Sequence, residues 1–212
     1  MSQYPNADVQ TIARGIGLDE RIGSRFLDAG LGWGGSCLPK DLKALVRFSK
    51  TVNYSPELVE AVITSNENQK VRAVQLAKEA LGSLRGKRIA VLGLAFKPET
   101  DDMREAVSIP VIRGLQAEGA KVIAYDPAAM RNAHAVFEDR ITYAQDQADC
   151  VTQADCCIIV TEWDEFRAIT PETFLRLMRQ PIVIDGRRMY DPDKFIDAGI
   201  HFSAIGLGPR TS

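Results

Sequence analysis

The sequence is short of the residues on which many protein chemistries depend. Its 212 residues include two histidines, His134 and His201, and four cysteines, Cys37, Cys150, Cys156 and Cys157. No Cys-x-x-Cys pair and no His-Glu-x-x-His motif occurs, so a zinc site has no support. A Cys–His catalytic pair has only those two histidines to draw on, and neither sits in a recognisable motif. No apolar run approaches the ~20 residues that span a bilayer. The opening Met1-Ser-Gln-Tyr-Pro5 has neither a basic nor an apolar signal region, so no signal peptide and no membrane association are expected. The net charge of -2, with signs mixed, argues against a nucleic-acid partner. A reducing, cytoplasmic setting is the expectation for the four thiols. No repeat or low-complexity tract is visible.

What is present is an ordinary globular composition, 45% hydrophobic and 25% charged, in a length that fits one large domain or two modest ones. Residues 1–50 read as short helices broken by glycine. Val9, Ile12 and Ala13 share one helical face. The stretch from Arg21 to Asp41 holds Gly23, Gly30, Gly32, Gly34 and Gly35, and reads as a loop with unusual backbone angles. Asp41 to Ser49 reads as a helix. Ser55 to Leu81 is the longest periodic stretch, with Ser55 as N-cap and Pro56 in the first turn. Its polar middle, Ser65 to Lys70, reads as a solvated face. Gly82 to Gly86 is the expected linker.

The character changes at Lys87. Apolar strands are expected at 88–96, 121–126, 141–143, 155–161 and 181–185, with helices at 108–118, 146–153 and 171–178. This alternation implies parallel βαβ units. The expected fold class is α/β: a mostly helical segment, 1–84, followed by a doubly wound, Rossmann-like parallel sheet, 85–212. Ligands of such sheets sit at the carboxyl ends of the strands. Gly93–Lys97, Asp126, Thr161–Trp163 and Asp185–Arg188 therefore share one rim. Cys156 and Cys157, as strand neighbours, point to opposite faces and read as core residues.

Three clusters carry chemistry. Gly30-Leu-Gly-Trp-Gly-Gly35 matches Gly-x-Gly-x-x-Gly literally. It does not follow a strand, and Pro39 comes soon after, so it is not a dinucleotide fingerprint. A backbone-lined loop lying close against a ligand is the better reading, because glycine removes the Cβ atoms that hold a substrate away. Cys37 follows that loop at the start of a helix, where the dipole and Lys40 favour thiolate. Asp41 lies one helical turn on, within reach of Cys37 or of a water beside it. On this physics a catalytic thiol and a structural cysteine both stay open. The second cluster, Gly93 to Glu105, offers Lys97 and Arg104 to phosphate oxygens, or is a solvated charged loop. The third, Thr161 to Phe166, reads equally as capping plus packing.

Together these clusters resemble the UDP-glucose/GDP-mannose dehydrogenase family. Gly34-Gly-Ser-Cys-Leu-Pro-Lys-Asp41 resembles its catalytic cysteine motif. Gly93-Leu-Ala-Phe-Lys-Pro with Thr100-Asp-Asp-Met-Arg-Glu105 resembles its nucleotide-sugar motif, and Thr161-Glu-Trp, Asp185-Gly-Arg187 and Ile205-Gly206 also fit. Thr161–Phe166 is most similar to members that act on UDP-glucose. The resemblance implies a four-electron oxidation in which a sugar C6 alcohol becomes a carboxylate and two NAD are reduced. Cys37 is implied to hold the aldehyde as a thiohemiacetal and then a thioester, and Asp41 to orient or activate the hydrolytic water. Arg21 is implied to reach the nucleotide sugar of a neighbouring subunit. Phe26, Asp28, Ala29, Gly30, Leu31, Gly32, Trp33 and Gly34 are implied to line the substrate. Phe96, Lys97 and Arg187 are implied to hold UDP, and Lys40 and Arg104 to lie near NAD.

The family's N-terminal NAD domain, and the catalytic Lys and Asn drawn from before the cysteine motif, find no counterpart in these residues. The chain is therefore expected to resemble the latter part of such an enzyme and to be inactive alone. A non-catalytic nucleotide-sugar-binding or assembly module is the reading of a different class. GDP-mannose or UDP-N-acetylmannosamine in place of UDP-glucose keeps the class. An exposed apolar patch on 56–81 is expected to support a homo-oligomer.

Overall fold

The computed structural model describes residues 4–209. Four helices come first. In α1 (Val9–Gly17) the Asp8 carboxylate caps the start, accepting from the Gln10 amide at 2.9 Å. An irregular stretch then leads to α2 (Leu38–Thr51), whose N-cap is Cys37, with Pro39 in the first turn. The expected single helix from Ser55 is two helices, α3 (Glu57–Lys70) and α4 (Arg72–Leu81), broken at Val71 where ψ rises to -5°. Ser55 is not the cap. Pro56 occupies that position and no side chain closes the turn.

The break lets the two halves do different jobs. Helix α4 buries Ala73, Val74, Leu76 and Ala77 and packs on strand and helix of the sheet domain that follows. Gly114 permits this, since a Cβ there meets Val74 at 3.0 Å. Helix α3 buries only Asn66 and Lys70. Gly82, at φ +72°, ends α4.

The sheet is built from β1 (Arg88–Leu92), β2 (Lys121–Tyr125), β3 (Thr142–Tyr143), β4 (Cys156–Ile159), β5 (Ile182–Asp185) and β6 (His201–Ala204). All pairings are parallel, in the order β3-β2-β1-β4-β5-β6. This is the doubly wound order, whose switch point lies between β1 and β4. Helices α5 (Ser108–Ala117), α6 (Met130–Phe137), α7 (Gln147–Val151), α8 (Asp164–Arg167), α9 (Pro171–Leu177) and α10 (Pro192–Asp197) complete the unit.

The inner strands β1, β2, β4 and β5 read as nearly continuous apolar runs because both faces are covered. Alternate residues enter two separate cores. Ile89, Val91, Cys156 and Ile158 join α4 and α5 on one face. Ala90, Leu92, Cys157 and Ile159 join α7 and α9 on the other. The two adjacent cysteines thus part to opposite faces, as strand geometry dictates. Burial raises the pKa of all three core thiols, Cys150, Cys156 and Cys157.

The two ends of the described chain meet. Asp8 and Leu207 form an antiparallel bridge. The Val9 amide donates to the Gly206 carbonyl at 3.0 Å, and the Gly208 amide to the Ala7 carbonyl at 2.8 Å. Arg188, buried and at φ +55°, ties the seam to the end of β5. Its guanidinium pairs with Asp8 at 2.9 Å and donates to the Ile205 carbonyl at 3.2 Å.

Candidate active site

The carboxyl ends of the strands form one rim, but the usual crevice in it is filled. At the switch point Gly93 follows β1 at φ +97°, and a Cβ there strikes Thr161 beyond β4. The Thr161 hydroxyl donates to the Ala95 carbonyl at 2.7 Å. Asp126, at the end of β2, is fully buried. Its carboxylate accepts from the Leu94 and Ala95 amides at 2.7 and 3.0 Å, from the Ala128 and Ala129 amides at 2.9 and 2.8 Å, and from the Trp163 indole at 3.1 Å. Asp185 likewise accepts from the amides of Arg187 and Tyr190, both at 2.9 Å. Burial raises its pKa, and those backbone donors pull it back. Both rim aspartates hold loops and are not free to meet a ligand.

This arrangement does not fit a dinucleotide. A pyrophosphate needs backbone amides at a glycine turn that runs directly into a helix. The amides after Gly93 are taken by Asp126, and α5 begins only at Ser108. Among the described residues, no cradle for NAD exists on this sheet. No group of His, Cys, Asp and Glu among them could hold a metal ion, and no helix is long and apolar enough to cross a membrane.

The open space lies beside the rim. A cleft of about 860 Å³ runs between the glycine loop, α3 and the ends of β5 and β6. Phe26, Asp28, Ala29, Gly30, Gly32, Trp33 and Arg187 line it, together with Val62, Ser65, Asn66 and Gln69 of α3 and the seam residues Val9 and Gly206. Leu31 turns the other way. It is fully buried, against Gly186, where any Cβ strikes it. Phe26 stands fully exposed at φ +63°, an unusual conformation for a bulky residue. Arg187 reaches over Gly30, where a Cβ comes within 2.9 Å of its guanidinium. Glu162 grips it through two contacts, Nη2 to Oε1 at 2.6 Å and Nε to Oε2 at 2.5 Å. The first is a hydrogen bond and the second an ion-pair contact only, and together they hold the guanidinium beside Glu162.

The glycine loop continues to the thiol. Gly34 lies on the Glu105 carbonyl and Gly35, at φ +82°, on the Phe96 ring. In both places a Cβ leaves no room, so the loop can dock on the Phe96–Glu105 segment only with glycine. Cys37 comes next, exposed, at the positive end of α2. Its nearest hydroxyl is that of Ser36, with Oγ 3.8 Å from Sγ. Asp41 sits one turn on, with its amide on the Cys37 carbonyl at 2.9 Å. Its exposed carboxylate pairs with Lys40 at 3.3 Å. Arg104 is exposed too, held by Asp102 at 2.7 Å. Its pKa is raised, chiefly by that hydrogen bond and to a smaller extent by the nearby charge of Cys37. Lys97 lies over the Phe96 ring, 5.5 Å from its centroid.

The residues expected from the sequence therefore form two groups joined by one loop. The cleft gathers 26, 28–30, 32, 33 and 187. The thiol region gathers Cys37, Lys40, Asp41, Phe96, Lys97 and Arg104. Arg21 belongs to neither. It is exposed, and its guanidinium is held by Asp19. Asn66 and Gln69 were not recognised in the sequence as part of the cleft, nor was Glu162 recognised as the partner of Arg187. A signal for Asn66 and Gln69 was available: Val62, Ser65, Asn66 and Gln69 follow helical spacing, which puts the polar residues on one face.

A parallel doubly wound sheet follows a glycine loop and a cysteine at a helix N-cap position, the arrangement that the family resemblance implies. Comparison with known proteins agrees. Residues 1–68 match the central domain of the UDP-glucose/GDP-mannose dehydrogenase family, and residues 90–192 match its UDP binding domain. The chain belongs to this family. It is 45% identical over 202 residues to a UDP-glucose 6-dehydrogenase of Rhizobium meliloti, covering 94% of this chain and 46% of that one. It is 42% identical over 200 residues to UDP-glucose 6-dehydrogenase TuaD of Bacillus subtilis, covering 94% and 43%. The structure of a UDP-glucose dehydrogenase from Pyrobaculum islandicum superposes with a TM-score of 0.86 at 38% identity, over 97% of this chain and 45% of that one. The chain thus spans just under half the length of the relatives it matches.

Proposed function

We propose that this chain provides the thiol and the nucleotide-sugar site of a UDP-glucose 6-dehydrogenase. One observation carries the reading. The loop that lines the cleft ends on an exposed cysteine at a helix N-terminus, so one continuous segment joins a binding site to a nucleophile. UDP-glucose is placed in the cleft, with Arg187 on the diphosphate and residues 28–34 along the sugar. Phe96 and Lys97 support the loop and the nucleotide from the other side. The C6 alcohol first loses a hydride to the oxidant and a proton, giving the aldehyde. The Cys37 thiol then adds across its C=O, sulfur to C6 and proton to oxygen, which holds the intermediate in place. Oxidation of that adduct leaves a thioester. Water, oriented by Asp41, cleaves the C–S bond and frees the carboxylate and the thiol. The oxidant is NAD, for which the described residues hold no cradle. Lys40 and Arg104, exposed beside Cys37, are the side chains placed to meet it from outside. Arg21 projects to serve a neighbouring subunit. A reducing, cytoplasmic setting suits a thiol that has to stay free.

With UDP-glucose and NAD, the pure chain is expected to give no NADH above background. Supplying the N-terminal half of a relative such as the Rhizobium meliloti enzyme is expected to restore NADH formation, and Cys37→Ser to abolish it. Steady turnover by the chain alone, or a restored activity that survives Cys37→Ser, refutes the assignment. The second outcome favours a non-catalytic binding module. Titration with GDP-mannose and UDP-N-acetylmannosamine beside UDP-glucose tests the sugar.

A further inference from the structure

One side of the polar middle of α3 faces the cleft, with Ser65, Asn66 and Gln69 lining it, while Glu67 and Asn68 stay exposed to solvent. Asn66 is buried at 8% exposure although it is an amide. Its Oδ1 accepts from the Trp33 amide at 2.8 Å, and its Nδ2 donates to the Trp33 carbonyl at 3.1 Å. This is the pattern by which one strand residue reads another, made by a helix side chain. Three residues on, Gln69 Nε2 donates to the Gly30 carbonyl at 2.7 Å. Between these anchors Gly32 adopts φ +91°, and a Cβ there comes within 2.6 Å of Asn66 Oδ1. Positions 66 and 69 lie on one helical face, so a rigid element fixes the loop backbone at both ends of Gly30–Trp33.

We propose that Asn66 and Gln69 are positioning residues that set the backbone of the substrate loop. This rests on the cleft being the nucleotide-sugar site. The residue types follow from the task. Asn66 has to accept from an N–H and donate to a C=O of the same residue, and of the side chains of this size only an amide offers both. An aspartate keeps the acceptor and sets a carboxylate oxygen against the Trp33 carbonyl. Gln69 needs only to donate, over one more methylene. The loop has five glycines within or near it and little stiffness of its own. Without the template, its ordering cost falls on ligand binding.

The test compares Asn66→Ala, Asn66→Asp and Gln69→Leu with the unaltered chain by two readouts: amide exchange at Trp33 by NMR, and calorimetric titration with UDP-glucose. Asn66→Ala is expected to speed Trp33 exchange roughly tenfold or more and to weaken UDP-glucose roughly tenfold. Asn66→Asp is expected to keep the amide protected and still weaken binding, a split that a merely structural role does not produce. Gln69→Leu, a milder change where Asn66→Ala does not fold, is expected to weaken binding with Trp33 protection retained. Unchanged Trp33 exchange in Asn66→Ala overturns the proposal. So does faster exchange with unaltered affinity. If the unaltered chain does not bind UDP-glucose, the functional reading fails, and Trp33 exchange still decides whether Asn66 holds the loop.

Discussion

Among the four cysteines, environment separates one from the other three. Cys150, Cys156 and Cys157 are buried, and desolvation raises each thiol's pKa. Desolvation disfavours the thiolate, which is the reactive form. Cys37 is exposed at a helix N-terminus. Iodoacetamide on the native chain is therefore expected to label Cys37 alone, and all four cysteines after denaturation. Mass spectrometry of the peptides checks this, and labelling of Cys156 or Cys157 in the native chain contradicts it. Aspartates sort in the same way. Asp102 has a pKa below its ordinary 3.8, chiefly through the Arg104 side chain. The stability this pair contributes is present above that ordinary value and is lost as pH falls through the depressed one. Asp126 and Asp185 instead spend their charge on backbone amides. Sequence placed both on the ligand rim, which is where they are, and said nothing of their direction. An aspartate after a strand looks the same whether it faces a ligand or its own loop.

At the scale of elements, legibility followed burial. Strands β1, β2, β4 and β5 were readable because parallel strands covered on both faces are continuous apolar runs, and the short edge strand β3 was readable from Ile141 to Tyr143 beside them. Helices α6, α8 and α10 and strand β6 were not foreseen. His201–Ala204 and Pro192–Asp197 are short and weakly patterned, and they hold their shape through contacts with β5 and the phenylalanine cluster around Phe195. The long helix was foreseen as continuous, because Val71 has the apolar character that its periodicity requires. Only the separate packing of its halves reveals the break. Helix α4 is core, so Leu76→Ala is expected to cost about 2–5 kcal/mol in urea unfolding. A cost within the range of surface substitutions means that α4 is not integral to the sheet domain. Helix α3 leaves Leu58 exposed and Val62 partly so at the mouth of the cleft.

At the scale of the whole molecule, the exposed apolar side chains are unevenly spread. Leu45, Phe48, Val52, Tyr54, Leu58, Val62 and Val71 all lie in α2, α3 and their junctions. The apolar patch expected over 56–81 is thus shifted toward the N-terminus, since α4 buries its share. We propose that copies of the chain associate through this α2–α3 surface. Sedimentation is expected to show a dimer or larger species that Phe48→Glu with Leu58→Glu dissociates. A monomer throughout, or an oligomer indifferent to both changes, rules this out. The terminal seam belongs to this scale as well. Arg188 and Asp8, distant in sequence, pair to hold the seam whose Val9 and Gly206 line the cleft.

The scarcity of histidine and of paired cysteines, which first excluded zinc and Cys–His chemistry, leaves Cys37 as the one thiol in contact with solvent. Sequence alone determined the α/β class, the glycine loop, the thiol at its end and the family, because each rests on local pattern and spacing. Tertiary structure alone decided what the polar groups do. It showed that Asp126 and Thr161 fill the switch-point crevice, that Glu162 holds Arg187, and that Asn66 and Gln69 hold the loop. The physical reason is common to all three. A hydrogen bond needs a direction and a partner, and periodicity fixes the face a side chain occupies but not what it meets there.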